Sequence, residues 1–122
     1  MAMSDTGPAI GTTWRRAFEA HPSRARAVRS WIIGRVTHPD APLVGHELFV
    51  IVLQGRSPAV EMTLSTAGGR IRITALGDTP LRLHHTHGPG ATLASAFARQ
   101  YGVDADARGV WAHLAAEERA ER

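Results

Sequence analysis

The chain has 122 residues, 43% of them hydrophobic, which suits one domain around a single core and leaves little material for a second. It has no cysteine, so disulfide frameworks and thiolate metal sites are excluded. Its net charge is only +3 and all 14 basic residues are scattered arginines, which argues against a nucleic-acid footprint.

The first segment, residues 1–11, is small, polar and broken by glycine and proline, and is expected to be disordered. Its opening, MAMSDTGPAIGTTW, lacks the basic start and apolar core of a secretory signal, and no apolar run reaches bilayer length, so a cytoplasmic protein is expected. Trp14-Arg15-Arg16-Ala17-Phe18 alternates large apolar with basic side chains and predicts a short edge strand with Trp14, Arg16 and Phe18 on one face. His21-Pro22-Ser23 closes it, with Ser23 as N-cap of a helix carrying Val28, Trp31, Ile32 and Val36. Asp40 is placed to cap a second helix, with Pro42 in its first turn and Leu43, Val44, Glu47, Leu48, Ile51 and Val52 along it, ending at Gly55.

A hairpin follows. Val60, Met62 and Leu64 alternate with Glu61 and Thr63, Thr66-Ala67-Gly68-Gly69 turns the chain, and Ile71, Ile73 and Ala75 repeat the alternation. A polar loop then runs through His87, a helix is predicted from about Gly90 to Tyr101, a turn from Asp104 to Gly109, and a last strand over Val110 to Leu114. Residues 116–122 read as a charged tail. This order predicts an α+β fold, a two-layer α/β sandwich whose mixed, mostly antiparallel sheet carries its helices on one face.

Three features could carry chemistry. Gly88-Pro89-Gly90 opens a helix, and unpaired N–H groups behind a glycine turn suit a phosphate, although such a turn alone is also just a turn. Glu47 is the one carboxylate inside an apolar helix, which fits either a tuned general base or a glutamate at the helix's solvent edge. His84, His85 and His87 form the one histidine cluster, but adjacent histidines ligate awkwardly and no carboxylate lies in the loop, so it reads as a solvated loop and no metal is assigned. Trp14 beside Arg15 and Arg16 has the composition of an interface hot spot, or else covers the sheet end.

Taken in order, WRRAF, the helix around Arg29-Ser30-Trp31, GHELFVIVLQ, RIRITALGD, GPGATLASAFARQYGV and GVWAHL resemble the histidine-kinase-like ATPase fold, also called the Bergerat or GHKL fold. The similarity is to its short form, the anti-sigma factors and serine protein kinases of bacterial partner-switching systems, and covers about residues 12–115. The family pattern Glu-x-x-x-Asn implies that Glu47 stands at the general base and Ile51 at the asparagine that holds magnesium. Residues four apart on a helix share a face, which is why base and metal ligand can serve one pocket. Isoleucine offers no oxygen to a hard cation, while its burial would add on the order of 1 to 2 kcal/mol. The aspartate that reads adenine in the family falls on Gly77 here, with Asp78 one place later, and the lid's Gly-x-Gly survives as Gly88 and Gly90.

The resemblance therefore implies a candidate nucleotide pocket of Gly77, Asp78, Gly88 and Gly90, with Glu47 as remnant base. No cofactor is expected, with ATP and magnesium only if the pocket works. It further implies a regulatory protein-binding module in transcription, its partner a sigma factor or an anti-sigma-factor antagonist, able to form a homodimer, without direct nucleic-acid or membrane contact. The other reading is an active ATP-dependent serine/threonine protein kinase acting on the antagonist.

Overall fold

Val60, Met62 and Leu64 on one strand and Ile71, Ile73 and Ala75 on the next are all buried, so the period-two pattern puts one apolar face of the hairpin inward. In the computed structural model, which describes residues 11–115, this hairpin is the middle of the sheet: β2 is Ala59–Ala67 and β3 is Arg70–Leu76. A two-residue turn joins them, with Gly68 at φ 57° and Gly69 at φ 80°, the left-handed conformations that a tight hairpin requires and glycine adopts without strain. β1 (Gly11–Glu19) pairs with β2 on the outer side, and β5 (Gly109–Leu114) and then β4 (Gln100–Val103) extend the sheet beyond β3. The order is β1-β2-β3-β5-β4, and all four pairings are antiparallel, so no parallel pair stands among the described residues.

The helices cover the inward face. α1 (Ala25–Ile33) and α2 (Ala41–Leu53) sit between β1 and the hairpin in sequence, and α3 (Leu83–Thr86) and α4 (Pro89–Phe97) between β3 and β4. α2 is the centre of the layer: Val44, Leu48, Phe49, Ile51 and Val52 are all buried, on more than one side, because the helix lies on the sheet and is flanked by α1 and α4. Phe18 from β1 meets Trp31 and Phe49 edge to face, at 5.8 and 6.3 Å between ring centroids. This is the two-layer α+β sandwich expected from the pattern of elements.

Four local readings need amendment. Ser23 does not cap α1; it lies in a 3-10 turn over Pro22–Arg24, its N–H donating to His21 Nδ1 at 3.1 Å, and α1 starts at Ala25. Asp40 stands at the N-cap of α2 but makes no side-chain cap bond. The polar loop before His87 contains the short helix α3.

The last difference is the largest. The helix predicted to run to Tyr101 ends at Phe97, because Ala98 turns extended and Gln100–Val103 pairs with β5. There Tyr101 and Val103 face the helices beside Ala112 and Val110, while Gly102 makes room on the other face for the Trp111 indole, with which any Cβ would collide. Trp14 opposes Leu64 and packs half-buried against the core, and Arg16, on the same face, places its guanidinium 4.8 Å from the Phe18 ring centre. The expected disordered N-terminus and charged tail lie outside the described residues, apart from Gly11, which begins β1. No helix among the described residues is long and apolar enough to cross a membrane.

Candidate functional site

α2 carries Glu47 and Ile51 one turn apart, and both face the first turn of α4. Gly90 is the point of contact: a Cβ placed there would lie 3.1 Å from Ile51 Cγ1 and 3.3 Å from Glu47 Oε1. The missing side chain at residue 90 thus lets the α4 backbone settle directly onto the Ile51 and Glu47 side chains, as glycine allows where two elements must come close. Ile51 is completely buried and lies directly beneath Gly90, and Ala91 and Ala94 on α4 are buried in the same core. Gly88 is extended at φ −86° and ψ −165°, and its carbonyl accepts from Thr92 N–H at 3.1 Å, closing the first turn of α4.

Glu47 is half-buried, and its carboxylate lies beside the N-terminal turn of α4, where Pro89 lacks an N–H and the helix dipole favours negative charge. It makes no ion pair among the described residues, and no side chain caps this helix end.

On the far side of Val52 the chain passes through Gly77 and Asp78. Gly77 is buried with its N–H donating to the Arg108 carbonyl at 2.9 Å, and a Cβ there would collide with Ser57 Oγ and lie 2.9 Å from Val52 Cγ1. Ser57 organises the turn: its hydroxyl oxygen accepts from Asp78 N–H at 2.7 Å and Thr79 N–H at 3.2 Å, and bonds Thr79 Oγ1 at 2.9 Å. Ser57 is itself 4% exposed, so these bonds satisfy its own hydroxyl away from water. The Asp78 side chain is exposed. The fold thus brings Glu47, Ile51 and Gly90 together, and sets Gly77 and Asp78 on a separate turn fastened by Ser57. Ser57 is not singled out by the sequence alone; its signal is a small hydroxyl in the short turn between α2 and β2, which has meaning only once the turn at residues 77–79 folds back onto it.

The histidines divide. His84 and His85 meet at a tilt of 58° with ring centroids 4.1 Å apart, and His85 Nδ1 accepts from Arg82 N–H at 3.3 Å, while His87 Nδ1 meets Thr86 Oγ1 at 3.1 Å. Desolvation, then the neighbouring His84 and Arg82 charges, hold the His85 imidazole below its ordinary value. His84 and His85 line an open groove of about 420 Å³ together with Arg56, Arg82, Thr79 and Pro80. Tyr101 closes the other end of α3, its hydroxyl donating to the Thr86 carbonyl at 2.8 Å, and burial pushes that hydroxyl up to about 12. No protein-family model matches the chain, and no curated protein matches it significantly.

Proposed function

We propose that this chain is a regulatory protein-binding module, built on the shell of an anti-sigma-type histidine-kinase-like ATPase and no longer working through nucleotide. The observation that carries this reading is Ile51, wholly enclosed beneath Gly90 at the position where the resembled family keeps a magnesium-holding asparagine. A divalent ion bridging ATP phosphates needs several oxygen ligands and open volume, whereas here Ile51 gives no oxygen and lies directly beneath Gly90, leaving the Glu47 carboxylate beside it as the one described acidic group at the contact. Gly77 supports it from the other side, since its turn is occupied by Ser57 and Val52 rather than by a carboxylate facing inward. Work by protein contact then remains, in the cytoplasm, with a sigma factor or an anti-sigma-factor antagonist as partner by resemblance. Isothermal titration with ATP and magnesium tests the reading: no heat of binding is expected, and micromolar affinity would overturn it.

One observation favours the kinase reading. Glu47 keeps its carboxylate half-open at the start of α4, within reach of a group docked there. Phosphoryl transfer rests on positioning and charge neutralisation, so loss of the metal ligand should suppress it. Radiolabel transfer from ATP to an antagonist protein, abolished by Glu47→Ala, would establish the kinase; none is expected.

A further inference from the structure

The sheet face turned away from the helices is a second surface, and at its hairpin end the charge is one-sided. Thr13, Ser65, Arg72, His113 and Gln100 form a row straight across all five strands, set by the pairings Thr13 with Ser65, Ser65 with Arg72, Arg72 with His113 and His113 with Gln100. At the hairpin end of this row lies a groove of about 730 Å³, bordered by Ser65, Arg70, Arg72, Arg99, Gln100 and His113. None of its described lining residues is acidic, and none of the three arginines makes an ion pair among the described residues. The nearest carboxylate on β2, Glu61, is four residues from Ser65, roughly 13 Å along the strand. Desolvation, and then the Arg72 and Arg70 charges, hold the His113 imidazole below its ordinary value, so it adds little positive charge of its own to the groove near neutral pH.

Two details choose among anionic partners. Arg72 places its guanidinium 4.9 Å from the Trp111 ring centre, and the indole rests against Gly102, so the aromatic surface on which a nucleobase would stack is already taken. Arg70 and Arg72 are two residues apart on one strand, so they project from the same face about 6.6 Å apart, the spacing of alternate side chains in an extended peptide. We propose that this groove docks an extended acidic segment of a protein partner, with carboxylates at every second residue pairing to Arg70 and Arg72. This rests on the protein-binding reading above, and names the chemistry of the partner and the surface that receives it.

The test uses the full chain and a fluorescein-labelled (Glu-Ser)6 peptide, followed by anisotropy at low salt. A (Lys-Ser)6 peptide and a six-nucleotide oligo-uridylate serve as comparison probes. Binding of the acidic peptide is expected, reduced at least tenfold by Arg72→Glu and severalfold by Arg72→Gln, and changed less than twofold by Arg26→Glu on the exposed face of α1, with circular dichroism confirming each fold. No binding of the acidic peptide, equal losses at Arg72 and Arg26, or tighter binding of the oligo-uridylate would each overturn the proposal. So would a tenfold gain when Glu117, Glu118 and Glu121 are all changed to Gln, which would assign the groove to the chain's own tail. ATP and magnesium titrated into the same samples separate the two readings, since nucleotide binding unaffected by Arg72→Glu would remove the proposed function and leave this groove in place.

Discussion

Two surfaces of this molecule could hold an anion, and they have gone opposite ways. Along the seam between α2 and α4, where a glycine turn opens a helix, the contact is close: Ile51 lies under Gly90, and the Glu47 carboxylate stands beside it. At the hairpin end of the bare sheet face, where no sequence motif points, three arginines border an open groove with no described acid beside them. A helix N-terminus is thus only an invitation to an anion; what stands across from it decides whether one can enter. The groove needs no motif, because strand register alone aligns its side chains.

The sharpest way to break the contrast is Ile51→Asn, which gives residue 51 the amide that the resembled family carries there. With the seam closed, that amide is buried without partners, and the change is expected to cost about 4 kcal/mol from lost apolar burial and the unsatisfied polar group, measured by urea denaturation, with no gain in ATP binding. Recovery of magnesium-dependent ATP binding at unchanged stability would mean that the seam opens. Ser57→Ala attacks the turn behind the seam, leaving the buried-side N–H groups of Asp78 and Thr79 without an acceptor; a loss of about 2 kcal/mol is expected in the same assay.

Tyr101→Phe loosens α3 from β4 by removing one hydrogen bond to Thr86, at about 1 kcal/mol. As the only tyrosine in the chain, Tyr101 also reports on itself by absorbance at 295 nm, and half of it should ionise near pH 12. Because its folded value lies above the ordinary 10, its contribution is complete below pH 10 and is lost as pH rises from 10 to about 12. The smallest effect belongs to the open groove. His113 is held below 6.5 when folded, so the unfolded chain binds the proton first and stability falls as pH drops below 6.5; His113→Gln should flatten that slope slightly in denaturation curves taken between pH 7 and pH 5.

What could be read from the residues follows the range of the forces involved. The hairpin was legible because Val60, Met62, Leu64, Ile71 and Ile73 alternate and Gly68-Gly69 can turn left-handed, all local facts. α2 was legible for the same reason, since its apolar residues leave no doubt about burial. β4 was not, because Gln100-Tyr101-Gly102-Val103 follows a helical run without a stop signal, and its alternation has meaning only against Trp111, which needs the empty position at Gly102. Glu47, Ile51 and Gly90 could be placed on their elements from the sequence, whereas the contact that closes the seam joins residues about forty apart and had to be seen. Ser57 and the arginine groove went unread for the same cause: each exists only through pairing of distant segments.

The fit of Gly90 onto Ile51 also limits how this chain can change. An oxygen ligand at residue 51 is useless while the helices touch, and parting the helices is harmful while residue 51 is apolar, so each step toward a metal-holding pocket is unfavourable until the other is taken. The closed seam therefore acts as a ratchet, and drift on this scaffold is steered toward its surfaces.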